Sequence, residues 1–170
     1  MSSTSGLPQA QCWAAIHTKA RCEKVVAKHL RERDVPVFLP LITHRRRYGS
    51  RTRTSELPLF PGYVFYDYEA LKREDVFGTR KVAGIHLSDN PDELREDLAN
   101  LAAALSQDPE VQRGEIGPPG TRVQVMEGPL SGTVGELVRR GPRTLLVLSV
   151  RFLGFSAETT IDERIVRPLE

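Results

Sequence analysis

The sequence predicts an α+β fold, an N-terminal antiparallel sheet with helices packed on it followed by a small C-terminal β-barrel. Three observations carry that expectation. Up to residue 105 the apolar period switches between the two-residue repeat of strands and the 3.6-residue repeat of helices, in the order strand, helix, strand, strand, helix, strand, helix. From Ser106 to Gly120 the chain holds Pro109, Gly114, Gly117, Pro118, Pro119 and Gly120 and no sustained apolar period, which reads as a linker. Beyond it, short β-prone segments follow one another closely, the grammar of a small barrel with a modest core. The expected boundaries are a disordered tail over 1–11, a first domain over 12–105, a linker over 106–119 and a second domain over 120–170.

Trp13 to His17 is short and apolar, is closed by the polar pair Thr18-Lys19, and is read as the first strand. Between Arg21 and Arg33 the positions of Cys22, Val25, Val26 and Leu30 draw one stripe along a helix, with charged residues opposite. Asp34 and Pro36 end that helix, and Val37, Phe38 and Leu39 before Pro40 form a second strand. His44 to Arg53 then carries five arginines, one tyrosine and a glycine turn, a basic hairpin or loop. Arginines present forked donors suited to phosphates, and an interleaved tyrosine can stack on an unpaired base. The competing reading is a solvated loop whose charges only keep it soluble.

Glu56 to Tyr66 organises the first domain. Pro61-Gly62 demands a sharp change of direction, because proline fixes φ and glycine admits φ > 0, so Tyr63 to Tyr66 must be a fresh strand. Alternation places Tyr63 and Phe65 on one face and Val64 and Tyr66 on the other, with one face expected in the core and the other free to bind. Glu69 to Phe77 is a short helix and Gly84 to Leu87 a strand. Asn90-Pro91-Asp92-Glu93 supplies a capping side chain, a proline at the first helical position and an acid at the third. The helix that follows buries Leu94, Leu98, Leu101, Ala102 and Leu105. After the linker, Val123 and Val125 alternate with polar residues, Gly128-Pro129 and Gly132 mark turns, Leu145 to Phe152 is a long β-prone run, and Ile161 to Val166 closes the chain.

An apolar content of 39% with 27% charged residues excludes global disorder. No apolar run approaches the roughly 20 residues of a membrane helix and Met1 to Gln11 is too polar for a signal peptide, so a cytoplasmic location is expected. Cys12 and Cys22 lack a partner pair or a histidine cluster and read as small reduced packing residues; no metal or cofactor is expected. His17, His29, His44 and His86 are scattered, no nucleophile and base group together locally, and no phosphate-cradling glycine loop opens a helix, which excludes the common enzyme signatures. The net charge of +2 is unevenly spread: residues 1–60 hold 11 basic against 4 acidic side chains, 61–105 hold 5 against 9, and 106–170 hold 8 against 9. A polyanion partner is therefore expected for the first segment, and a protein partner for the near-neutral last one.

Gly120-Thr-Arg-Val-Gln-Val-Met-Glu-Gly-Pro-Leu-Ser-Gly-Thr-Val-Gly135 resembles the KOW motif, and Trp13, the basic helix and Leu59-Phe-Pro-Gly-Tyr-Val-Phe65 resemble the N-terminal (NGN) domain of the NusG family. Both occur in the family's order from Trp13 to Leu169. The resemblance implies an NGN fold followed by an SH3-like KOW barrel, and a monomeric, non-enzymatic transcription elongation factor. Its N-terminal domain would sit on the clamp helices of RNA polymerase and suppress pausing or termination. Its KOW domain would recruit a partner such as the termination factor Rho or a ribosomal small-subunit protein.

Carried over by position, Tyr63 and Phe65 would face the clamp with Trp13 and His17 beside them; core is the competing place for Trp13 and Phe65, and Tyr63 ranks first as a contact. His44 to Arg53, followed directly by Thr54 to Pro61, is similar to the specialised RfaH, LoaP and UpxY-like paralogues, as is Phe38 to His44. In these the basic face contacts the exposed non-template DNA strand, which gives Arg45, Arg46, Arg47, Tyr48, Arg51 and Arg53 that role, extended by Lys19 and Lys24. Phe152, Leu153 and Phe155 around Gly154 would form the barrel's partner-facing tip, with barrel core the competing place for Phe152 and Phe155, and the favoured one for Phe152. Lys72-Arg73-Glu74-Asp75 departs from the His-Thr-Thr element of RfaH. Thr144, Val147 and Val150 favour strand, so a stable barrel rather than a switching one is expected. The alternatives are a housekeeping NusG and a ribosomal or other RNA-binding KOW protein.

Overall fold

The computed structural model describes residues 6–115 and 119–170. Residues 1–5 of the expected tail and 116–118 of the expected linker lie outside the described residues. The chain divides into two compact units, one of Leu7–Arg95 and the other containing Glu96–Glu170.

In the first unit the elements are β1 (Trp13–Thr18), α1 (Glu23–Arg31), β2 (Val37–Phe38), β3 (Leu41–Tyr48), β4 (Arg51–Pro58), β5 (Tyr63–Asp67), α2 (Arg73–Phe77) and β6 (Val82–Leu87). Four of the strands make an antiparallel sheet in the order β2-β5-β1-β6, and among the described residues β3 and β4 pair with each other alone. Ala14, Ile16, Val64 and Tyr66, which alternate onto one sheet face, share a core cluster with Val26, Ala27 and Leu30 of α1 and with Val35, Val37, Leu39, Val76 and Val82.

Two expectations are corrected here. The buried stripe of α1 is Glu23, Val26, Ala27 and Leu30, whereas Val25 is 53% exposed. The 3,4,7 spacing from Glu23 is the better helical face, and counting only apolar residues concealed a buried acid. The second correction concerns β5, in which no whole face is free: Val64 and Tyr66 are buried on one side and Phe65 on the other, and Trp13 on β1 is buried with it. β5 and β1 are the two central strands of this sheet, and both carry buried side chains on either face. Only Tyr63, at the start of β5, stays half-exposed.

Tyr66 is fully buried, yet its Oη has no hydrogen-bond partner among the described residues, and burial raises its phenol well above the usual range. An unpaired buried hydroxyl is a net cost, so Tyr66→Phe is expected to leave stability unchanged or raise it by about 1 kcal/mol. Urea denaturation measures this, and a clear loss of stability would contradict it.

The helix α3 (Pro91–Gln107) crosses the division between the units. Asn90 caps it as its side chain predicts, Oδ1 accepting the Glu93 N–H at 3.2 Å. Its later part belongs with β7 (Gln112–Arg113), β8 (Thr121–Val125), β9 (Val134–Arg140), β10 (Arg143–Val150), β11 (Phe155–Thr160) and β12 (Val166–Pro168). These strands form one antiparallel sheet in the order β12-β8-β9-β10-β11-β7, which fits a KOW-like β domain. Its core holds Val123, Val125, Leu145, Leu146, Leu148, Val150, Ala157 and Ile161. The run from Thr144 to Val150 is strand throughout.

Polar side chains fasten α3 to this sheet. Arg151 gives Asp97 its Nη2 at 2.8 Å, its Nε at 3.1 Å and its backbone N–H at 3.1 Å, and the Asn100 Oδ1 accepts the Val134 N–H at 3.1 Å. Arg122 pairs with Glu96 at 3.1 Å. Inside the sheet the buried Glu158 carboxylate takes two bonds from Arg140 Nη1, at 3.2 and 3.0 Å, so its charge is compensated.

Candidate nucleic-acid and polymerase interface

The basic segment is a protruding two-stranded ribbon. β3 and β4 pair in register from Leu41↔Pro58 to Tyr48↔Arg51, with Gly49 (φ +61°) and Ser50 as the two-residue turn. A glycine at positive φ suits the tight turns that match strand twist. Every residue from Thr43 to Leu57 is exposed, Tyr48 to 56%. Arg45, Arg46, Arg47, Tyr48, Arg51 and Arg53 are thus all brought onto one element. Lys24, on α1, reaches its base, where Nζ donates to the Glu56 carbonyl oxygen at 2.6 Å. Lys19 is exposed at the end of β1, and its N–H donates to the Lys81 carbonyl oxygen at 2.8 Å. That bond brings in Lys81, which with Arg80 and Arg21 adds exposed positive charge that the local sequence pattern did not flag.

The second group lies on the sheet. His17 and Tyr63 are direct cross-strand partners whose rings stack at 5.0 Å, and His86 closes the group at 6.2 Å from His17 and 6.4 Å from Tyr63. His17 and Tyr63 are half-buried and His86 is exposed, whereas Trp13 and Phe65 on the same face are buried. Sequence reading left His86 among the scattered histidines. The antiparallel pairing of β1 with β6, which sets His86 opposite Ala15 and Gly84 opposite His17, is what gathers it.

Glu23 is the other residue missed. Its buried carboxylate accepts the Gly62 N–H at 2.8 Å, while the Gly62 carbonyl accepts the Thr18 N–H at 2.8 Å. Gly62 sits at φ +88°, and these two bonds pin the Pro61-Gly62 turn so that Tyr63 enters β5 against His17. Glu23→Ala leaves that N–H without its acceptor and is expected to cost about 1–3 kcal/mol by denaturant unfolding, with Glu23→Gln, which keeps an acceptor oxygen, costing less.

In the second unit Phe152, Leu153 and Phe155 are all half-buried around the β10–β11 turn, where Gly154 has φ +71° and Arg113 Cζ lies 6.0 Å from the Phe155 ring. Cys12 and Cys22 are free and half-buried, and burial, followed by the Glu69 and Asp67 carboxylates, pushes the Cys12 thiol up and makes it a poor nucleophile. Among the described residues no group of three or more His, Cys, Asp or Glu is placed to hold a metal ion, and no helix is long and apolar enough to cross a membrane.

No curated protein matches the chain. A solved structure described as domain interaction in Thermotoga maritima NusG is 23% identical, covers 94% of this chain and 97% of that one, and has a TM-score of 0.49. The MjSpt4:Spt5 complex is 17% identical in both conformations, covering 93% of this chain, with 97% of that chain and a TM-score of 0.28 for conformation B and 98% and 0.29 for conformation A. The family model for NusG, transcription termination factor nusG, matches residues 11–101, which takes in the sheet, α1, the ribbon and most of α3. The chain belongs to the NusG family, a family of non-enzymatic transcription factors.

Proposed function

We propose that this chain is an operon-specialised elongation and antitermination factor of the RfaH, LoaP and UpxY kind, which binds RNA polymerase through its first unit and suppresses pausing. Tyr63, stacked on His17 with His86 beside it, presents an accessible aromatic surface at a fixed position on the sheet, the property of a protein-contact hot spot. Trp13 and Phe65 support that surface from within the sheet. The ribbon, with Lys24 at its base and Lys19 just after β1, holds the non-template DNA strand. The second unit, the KOW domain, recruits a protein such as Rho or a ribosomal small-subunit protein at Phe152, Leu153 and Phe155. The first domain is built on 12–105 and the KOW domain on 120–170, with β7 of the intervening 106–119 segment added to the KOW sheet, and the factor acts as a cytoplasmic monomer.

The observation that carries this reading is the exposed ribbon with five arginines and a tyrosine in a member of the NusG family. Loading on a core RNA polymerase elongation complex, read by gel filtration, tests it. Co-elution with shortened pausing in single-round transcription is expected, and absence of co-elution would overturn it.

A further inference from the structure

We propose that the ribbon takes an unpaired nucleic-acid strand on one face only, where Arg46, Arg53 and Arg51 hold phosphates and Tyr48 stacks a base. The inference rests on the nucleic-acid role of the ribbon proposed above and divides residues that composition alone lumps together.

Residues directly opposite in an antiparallel pair share a face. The register therefore sets Arg46 with Arg53, Tyr48 with Arg51 and His44 with Ser55 on one face, and Arg45 with Thr54, Arg47 with Thr52 and Thr43 with Glu56 on the other. Glu56 is the only acid between residues 41 and 58, so the first face holds three arginines and no carboxylate, while each arginine of the second faces a threonine. Arg46 and Arg53 stand opposite each other, a like-charge placement that works against the ribbon's own stability. Neither forms an ion pair among the described residues. An anion between them removes the repulsion. Same-face neighbours along a strand are about 7 Å apart, so the Arg46–Arg53 and Tyr48–Arg51 pairs make two steps that can track successive units of an extended strand. Tyr48 beside Arg51 adds a ring for a base that is not paired, which favours a single strand over a duplex.

Two matched variants separate this from simple attraction of charge. R46Q/R53Q and R45Q/R47Q each remove two positive charges from the same ribbon, and the whole chain is titrated with a fluorescein-labelled oligodeoxythymidine by anisotropy over a salt series. R46Q/R53Q is expected to weaken binding at least about tenfold and to flatten the log–log salt slope by roughly 1.4, and R45Q/R47Q to weaken it less than about threefold. Tyr48→Leu should weaken binding about tenfold with the slope unchanged. The melting temperature of R46Q/R53Q should match or exceed that of the unaltered chain, because a repulsive pair has been relieved. Equal weakening by the two matched variants would overturn the one-face assignment and leave the nucleic-acid role standing. An unaltered chain that does not bind the oligonucleotide, or one whose binding none of the variants changes, would overturn that role as well.

Discussion

Gly135→Ala is expected to destabilise the second unit strongly, costing about 3 kcal/mol or more in denaturant unfolding. A Cβ at that position would lie 2.7 Å from the Val147 carbonyl oxygen, 2.9 Å from Leu148 Cδ2 and 3.0 Å from Leu146 Cδ1. The oxygen belongs to the β9–β10 ladder, in which Leu137 pairs with Leu146 and Glu136 with Val147, so it cannot retreat without opening that pairing. Overpacking of a rigid core ordinarily costs about 1–3 kcal/mol, and forcing a backbone group aside lies at or above the top of that range. Gly132→Ala is the control. Gly132 has φ +90° with no atom of the described residues within 4 Å of the added carbon, so only the conformational penalty of about 1–2 kcal/mol is expected. Similar losses in the two variants would contradict the assignment of the Gly135 effect to contact.

The second large effect is expected from the ribbon. Replacing Arg45, Arg46, Arg47, Arg51 and Arg53 together with glutamine should lower affinity for an unpaired strand by about 100-fold or more near 0.1 M salt. If three arginines touch phosphates, the salt slope should flatten by about 2, and if all five do, by about 3.5. The smaller change is the one the ribbon's register predicts. Binding to polymerase through Tyr63 should persist in this variant, because none of the five arginines belongs to the sheet that carries Tyr63.

Much of this architecture could be read from local chemistry. The Asn90 cap, the proline and glycine of the Pro61-Gly62 turn, the basic hairpin and the β-prone run after Arg143 act within a few residues of themselves, and local signals of that kind survive in a single sequence. What escaped was set by pairing between distant segments. Trp13 and Phe65 have the residue types of a binding surface, and only packing between distant segments consigns them to the interior. His86 reaches the Tyr63 group through the β1–β6 pairing. Glu23 looks like an ordinary surface acid of a charged helix until the Gly62 turn is laid against it. The ribbon shows both sides of this division: its composition points to a polyanion partner, but separating Arg46 from Arg45 and Arg47 requires the register fixed by the Gly49-Ser50 turn.

The central claim is that one unit holds polymerase with its sheet and an unpaired strand with its ribbon. The most direct test is single-round transcription through a pause site on a reconstituted elongation complex, with factor retention measured in the same samples for the unaltered chain, Tyr63→Ala and R46Q/R53Q. The prediction is that the unaltered chain binds and shortens the pause, Tyr63→Ala fails to stay bound, and R46Q/R53Q stays bound but no longer shortens the pause. Full retention of Tyr63→Ala together with undiminished pause suppression by R46Q/R53Q would contradict the account.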